Sequence, residues 1–276
     1  MAITRERESH ELLLVSKRRP SPDCDLRLLC LPYAGGDASA FREWGAALPD
    51  NIEVVAIELP GHGQRMAEEP CRRMSSLVDV MAGACAAAID RPFAIFGHSM
   101  GASIAIELAS RLATVAERSP VHVFVSGAQA PHIERRSLQH VSREELLVEL
   151  RRWNGVPEEV LANNAIIELF IPILRADFAL VDTRARGPVR GGLAAPLTVF
   201  SGIEDPEVTD EGLKAWRQYT SGPFDLQVFP GRHFFLDSAR SELLHEIGRR
   251  LVSWRFAQRS ATRAALEPTE TERCGR

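Results

Sequence analysis

Short apolar segments alternate along this chain with segments of helical spacing, and this alternation limits the possible folds more than any other feature. The segments that predict strands are 26–31, 52–58, 93–97, 121–127, 197–202 and 225–230. Several are apolar at nearly every position, which is typical of strands that helices cover on both faces. We therefore predict the α/β class, with a mostly parallel, doubly wound sheet and right-handed crossovers.

A long interval without a strand pattern separates the fourth and fifth predicted strands. It extends from about 131 to 190 and contains amphipathic segments at 142–153 and 157–183. We interpret the interval as an inserted helical lid, with its second segment divided into two helices at Pro172, because proline interrupts helices.

The rest of the chain is predicted to form one domain with this lid. Its core covers about 22–130 and 191–257, and residues 1–10 and 258–276 are expected to be disordered tails, because they carry no core pattern.

The charge and composition of the chain exclude several function classes. A formal net charge of -4 provides no global basic field for nucleic acid. No apolar run approaches the roughly 20 residues that a membrane span needs. The 5 cysteines show no CxxC spacing, which indicates a reduced, cytoplasmic protein without a metal site. We also expect a monomer.

The segment GHSMG at 97–101 follows a predicted strand and precedes a helical pattern. It fits G-x-S-x-G in the strand–turn–helix context of a nucleophile elbow, which exposes the Ser99 hydroxyl at the end of the strand. The Met100 N–H, at the start of the helix, can then stabilise an oxyanion. The simpler alternative is a glycine-rich turn whose serine caps the helix.

A serine nucleophile needs a base and an acid that orients the base. Of the 8 histidines, His233 follows the last predicted strand, in a loop that opens at the same sheet edge as Ser99, whereas His98 is expected to pack. A surface position for His233 is the alternative. Asp205 follows the fifth predicted strand and is the preferred acid, with Glu204 as its rival. The chain order serine, acid, histidine is that of α/β-hydrolases.

A second oxyanion donor is expected in the loop PYAGGDASAF, after the first predicted strand. Two glycines permit close approach of the backbone, and we expect the amide of Ala34 to pair with that of Met100. The alternative is a turn that caps the next helix through Asp37 or Ser39, and both roles are compatible.

Several motifs occur in one order within roughly residues 26 to 255: CLPYAGGDASAFREWGAALP, AIELPGHGQR, GHSMGA, LRADF, SGIEDP and GRHFFL. In combination, and above all through PYAGG, LPGHG and HFFL, the chain resembles the type II thioesterases of polyketide and nonribosomal peptide assembly lines. The resemblance implies an α/β-hydrolase fold. It also implies hydrolysis of acyl or aminoacyl groups from the phosphopantetheine arm of carrier proteins, which clears stalled or misprimed modules.

The resemblance implies Ser99, Asp205 and His233 as catalytic residues and Ala34 and Met100 as oxyanion donors. These are the residues that the strand and turn patterns also indicate. The reaction would pass through an acyl-serine and need no metal or diffusible cofactor, since phosphopantetheine arrives on the carrier protein. The segment DTRARG at 182–187 departs from the family pattern, which has a tyrosine-bearing stretch there.

Two groups of side chains could contact the substrate. Apolar lid residues could line an acyl channel or simply pack the lid onto the core; they are Phe170, Ile171, Leu174 and Phe178. Arginines could form a basic patch for an acidic carrier protein or be solvated helix faces; they are Arg135, Arg136, Arg151, Arg152, Arg184 and Arg186.

Three other functions remain open at this point. The chain could be a free-standing carboxylesterase or lipase with the same triad, a non-catalytic carrier-binding protein, or a chain-terminating cyclase. The cyclase is the least favoured, because such domains normally end a long synthase and this chain contains no carrier-like segment with a modifiable serine.

Overall fold

The computed structural model describes residues 14–15, 24–187 and 192–266. Within them, seven strands form one sheet in the order β1-β3-β2-β4-β5-β6-β7. The strands are β1 (Leu14–Val15), β2 (Leu26–Leu31), β3 (Ile52–Ile57), β4 (Phe93–His98), β5 (Val123–Ser126), β6 (Leu197–Gly202) and β7 (Phe224–Phe229). Only β1 is antiparallel to its neighbour, so the predicted mostly parallel sheet is confirmed.

Helices cover both faces of this sheet. They are α1 (Trp44–Ala47), α2 (Met74–Ala88), α3 (Met100–Val115), α4 (Arg143–Trp153), α5 (Glu158–Leu161), α6 (Asn164–Asp182), α7 (Asp210–Lys214), α8 (Phe235–Ser238) and α9 (Arg240–Leu266). None of these described helices is long and apolar enough to cross a membrane.

The core is divided into two clusters by the sheet, because neighbouring residues of a strand point to opposite faces. In β4, Ile95 belongs to the cluster that contains Leu108 of α3. Phe96 belongs to the opposite cluster, with Trp44 of α1 and Leu243 of α9. Every residue of β4 is buried, which explains why this strand is apolar without alternation.

The described residues between β5 and β6 contain α4, α5 and α6 and no named strand, as expected for the lid interval. The predicted break at Pro172 is wrong, because α6 continues through this proline. Leu174 and Phe178, beyond the proline, pack in the same cluster as Ile167 before it, and this packing offsets the hydrogen bond that proline cannot make. The helical segment is interrupted earlier, between α5 and α6, where the Asn163 side chain caps α6. The division into core and lid stays a prediction.

Two features at the ends of the chain depart from the predictions. Strand β1 is too short for its sequence to show a strand pattern. Helix α9 continues to Leu266, so the predicted disorder is wrong for 258–266, a segment rich in the helix formers Ala and Arg. The predictions for 1–10 and 267–276 lie outside the described residues.

Candidate active site

Ser99 lies in the sharp turn between β4 and α3. Its φ of 55° and ψ of -112° form a backbone conformation that non-glycine residues rarely adopt. A Cβ at Gly97 would collide with the Gly101 carbonyl, and one at Gly101 with the Leu31 carbonyl in β2. Only glycine therefore allows the helix to approach the sheet here. The Ser99 side chain makes no capping hydrogen bond to α3, which disfavours the helix-cap alternative.

The loops after β6 and β7 bring Asp205 and His233 into contact. His233 Nδ1 lies 2.9 Å from Asp205 Oδ2 and 3.1 Å from Oδ1, and both residues are buried. Because an ionised carboxylate only accepts hydrogen bonds, Nδ1 carries the proton, which leaves the lone pair of Nε2 available as a base. The rival acid Glu204 is exposed and has no contact of this kind among the described residues.

Aromatic rings enclose the His233 imidazole. Trp153, at the end of lid helix α4, has its ring centre 5.9 Å away, and His98 lies at 5.1 Å. His98 is fully buried, and its Nδ1 is 2.9 Å from Ser126 Oγ. Burial, followed by the charge of His233, holds the pKa of His98 well below its usual range. His98 is therefore a neutral packing residue, as the sequence suggested.

One cavity of about 60 Å³ contains the candidate nucleophile and the candidate base. Ser99 and His233 both line it, together with Trp153 and Phe178 from the lid. No hydrogen bond joins the Ser99 hydroxyl to another group within the described part of the chain. Such bonds are often loose without substrate and tighten in its complex.

The two predicted oxyanion donors, Ala34 and Met100, line the same cavity. Neither backbone N–H donates to another group among the described residues, so both are available to a substrate oxygen. In the same loop, the Asp37 side chain accepts a hydrogen bond from the Ser39 N–H at 2.6 Å and caps the following turn. The capping role of Asp37 is therefore present, and it is compatible with the oxyanion role that stays a prediction for Ala34.

Of the four predicted channel residues, only Phe178 lines the cavity. Phe170, Ile171 and Leu174 do not line it, although they belong with Phe178 to the hydrophobic cluster of the lid. The continuous helix explains this difference. Leu174 faces Gly35 in the loop 32–41, which we call the oxyanion loop, and Phe178 lies one turn further along α6. Within residues 24–187 and 192–256, no group of three or more His, Cys, Asp or Glu side chains is arranged to hold a metal ion.

Sequence reasoning overlooked a buried histidine–carboxylate pair behind the oxyanion loop. His62 and Asp177 are almost fully buried, and His62 Nε2 lies 3.0 Å from Asp177 Oδ2. The available signal was an aspartate within the largely apolar run LRADFALV of α6, together with a histidine in the LPGHG segment.

A family model described as a thioesterase domain matches residues 26–251. The chain belongs to this thioesterase family. The thioesterase is 40% identical over 224 residues to the gramicidin S biosynthesis protein GrsT of Aneurinibacillus migulanus, an alignment that covers 79% of this chain and 86% of GrsT.

Solved structures extend this likeness to the fold. The thioesterase RedJ, from the prodiginine biosynthetic pathway of Streptomyces coelicolor, superposes with a TM-score of 0.79 at 37% identity, covering 85% of this chain and 94% of RedJ. The type II thioesterase BorB, from the borrelidin biosynthetic cluster, also gives 0.79, at 33% identity over 87% of this chain and 98% of BorB. The α/β-hydrolase fold and the resemblance to type II thioesterases are confirmed.

Proposed function

We propose that this thioesterase hydrolyses acyl and aminoacyl thioesters on the phosphopantetheine arm of carrier proteins, and so clears stalled or misprimed synthase modules. The observation that carries the proposal is that Ser99, His233, Ala34 and Met100 line one cavity, with Asp205 bonded to the histidine behind it. Relatives named for gramicidin S and borrelidin biosynthesis support the substrate class.

In the first half of the proposed reaction, Ser99 Oγ attacks the thioester carbonyl carbon and its proton passes to His233 Nε2. The oxyanion lies between the N–H groups of Ala34 and Met100. When this intermediate collapses, the carbon–sulfur bond breaks and the thiolate of the arm takes the proton from the imidazolium. Asp205 keeps the histidine in the required tautomer and stabilises its charged form.

In the second half, a water molecule gives a proton to His233 and attacks the acyl-serine. Collapse of this second intermediate breaks the acyl–oxygen bond, returns the proton to Ser99 and releases the carboxylic acid. The proposal includes no metal and no diffusible cofactor, because the protein and water supply every group that the reaction uses. We also propose that the protein is a monomer and lies in the cytoplasm. Four cysteines of the described residues form no disulfide, which agrees with a reducing compartment. They are Cys24, Cys30, Cys71 and Cys85.

We further propose that Arg135 contributes to recognition of the acidic carrier protein or of the arm's phosphodiester. Three of the six candidate arginines are already paired with glutamates: Arg136 with Glu145, Arg151 with Glu158, and Arg152 with Glu149. Arg184 is buried and donates to two backbone carbonyls. Arg135 is exposed, lines the cavity and makes no salt bridge within the described residues.

A panel of acyl-loaded carrier proteins, followed by intact mass spectrometry, tests the proposed function. The wild-type enzyme should release acyl groups from the carriers, and Ser99→Ala should not, because the nucleophile is lost. An aryl ester measured in parallel identifies the alternatives. Hydrolysis of the aryl ester alone would indicate an esterase, no hydrolysis of either would indicate a binding protein, and a cyclised product would indicate a cyclase.

A further inference from the structure

The His62–Asp177 pair connects the lid to the loop that supplies the second oxyanion donor. His62 belongs to the loop after β3, and Asp177 to lid helix α6. Their relative exposures are 4% and 0%, so neither side chain reaches solvent. A buried carboxylate needs compensating contacts, because its transfer from water is unfavourable. Its partners therefore indicate what it holds in place.

The hydrogen-bond pattern defines the charge of this pair. His62 Nδ1 lies 3.0 Å from the Pro60 carbonyl, which only accepts, so Nδ1 carries a proton. His62 Nε2 lies 3.0 Å from a carboxylate oxygen and donates to it as well, which makes the ring an imidazolium. Burial lowers the pKa of His62, but the hydrogen bond and charge of Asp177, with the Pro60 carbonyl and the charge of Glu58, raise it overall.

The same Asp177 oxygen accepts a second hydrogen bond, from the backbone N–H of Gly35 at 2.7 Å. Leu174, one turn earlier on α6, is so close that a Cβ at Gly35 would lie 2.9 Å from its Cδ2. Gly35 has a φ of +74° and directly follows Ala34, which lines the cavity. The orientation of the Gly35 peptide therefore also determines how firmly the Ala34 amide is held.

We propose that Asp177 and His62 are positioning residues that hold the Ala34 N–H in the oxyanion hole, so that the hole is complete only while lid helix α6 is docked. Asp177 binds the loop directly, and the His62 imidazolium holds Asp177. The inference rests on the proposed function, since it assigns a role within the same reaction. When the lid is displaced, the Met100 N–H would stay firmly held as an oxyanion donor and the Ala34 N–H would not.

Asp177→Asn tests this role with nearly the same side-chain volume. Asp177 Oδ2, which contacts both His62 and Gly35, is replaced by an amide oxygen or an amide nitrogen. The oxygen lacks the full negative charge, and the nitrogen cannot accept a hydrogen bond from the Gly35 N–H. Complete loss of an oxyanion donor lowers kcat by about 100- to 1,000-fold, and a loosened donor should lower it by about 10- to 100-fold. KM should change little, because the interaction strengthens in the transition state.

The measurement is kcat per active site, with sites counted by complete fluorophosphonate labelling so that misfolded protein does not contribute. The matched control is Thr183→Val, since Thr183 Oγ1 accepts a hydrogen bond from the Met74 N–H and joins the end of the lid to α2, away from the oxyanion loop. This control should keep the wild-type kcat. Inhibition by a trifluoromethyl ketone that forms an oxyanion should weaken in Asp177→Asn in proportion to kcat.

His62→Gln provides a second, independent variant. It should lower kcat less than Asp177→Asn, and the double variant should be no slower than Asp177→Asn alone, because both residues act through Gly35. The inference is overturned if kcat per labelled site in Asp177→Asn stays within twofold of wild type, if Thr183→Val loses as much, or if the two losses add fully. Each outcome is measured in an enzyme that still hydrolyses thioesters, which separates it from a failure of the proposed function.

Discussion

At the scale of single residues, the candidate site depends on one buried carboxylate that is fully engaged. Asp205 accepts from His233 through both oxygens and from the Glu207 N–H at 2.9 Å. These hydrogen bonds compensate the burial of the carboxylate and hold the imidazole in one orientation. The exposed neighbour Glu204 has the same charge but lacks these contacts. Substitutions of Asp205 and of Glu204 therefore separate the effect of position from the effect of charge.

Asp205→Asn is expected to lower kcat by about 1,000- to 10,000-fold, because an amide favours the wrong histidine tautomer. Glu204→Gln removes the same charge from the adjacent residue and should keep wild-type activity. Steady-state hydrolysis of an acyl-carrier thioester measures both. Equal losses in the two variants would show that Asp205 acts only as a nearby charge.

The sequence predicted that Ser99, Asp205 and His233 lie close together, because each follows a parallel strand at the same edge of the sheet. The shared cavity and the His233–Asp205 contact agree with this prediction. The sequence was not sufficient for the pair of His62 and Asp177, which are 115 residues apart. Their contact depends on how the lid docks on the core, and no local pattern encodes that docking.

At the scale of elements, the turn from β4 to α3 is set by close backbone contacts.

The strands of the sheet were predictable because burial on both faces leaves an uninterrupted apolar run. The course of α6 through Pro172 was not, because tertiary packing of the lid cluster outweighs the local effect of proline. A two-residue strand such as β1 carries too little pattern to be recognised.

Gly101→Ala should destabilise the fold by at least about 1–3 kcal/mol, because its Cβ meets the backbone of β2, which cannot move aside. Gly187→Ala is the matched control, since a Cβ there meets no atom of the described residues within 4 Å. Urea unfolding midpoints compare the two. An unchanged midpoint for Gly101→Ala would contradict the close approach of helix and strand.

Phe178→Leu should shift chain-length preference, because Phe178 narrows a cavity of about 60 Å³. The ratio of kcat/KM for a long acyl chain over a short one should rise about tenfold, the size of effect expected from a change of a methylene or more in an apolar pocket. Phe170→Leu, on the same helix but outside the cavity lining, should leave the ratio unchanged. If both variants shift it equally, the lid as a whole rather than the cavity wall controls chain length.

At the scale of the whole molecule, a formal net charge of -4 gives little general attraction to an acidic carrier protein. The proposed recognition of a carrier protein therefore relies on local charge near the cavity. Arg135 is suited to this role, because neighbouring arginines on the lid are held by glutamates of the same chain.

Arg135→Gln should raise KM for an acyl-carrier protein roughly two- to fivefold, the size expected for one exposed ion pair, and the effect should shrink at high salt. Arg136→Gln removes the adjacent charge, which is already paired with Glu145, and should change KM little. A small uncharged thioester should not distinguish the variants. Equal effects of both substitutions would argue for general charge rather than a specific contact.

The chemical reactivity of the Ser99 hydroxyl decides between a catalytic serine and a structural one. The protein is incubated with a fluorophosphonate, digested, and the modified peptide is identified by mass spectrometry. We expect a single adduct on Ser99, absent in Ser99→Ala and formed far more slowly in His233→Ala. An adduct on a different residue, or labelling of wild type and His233→Ala at equal rates, would contradict a serine activated by this histidine.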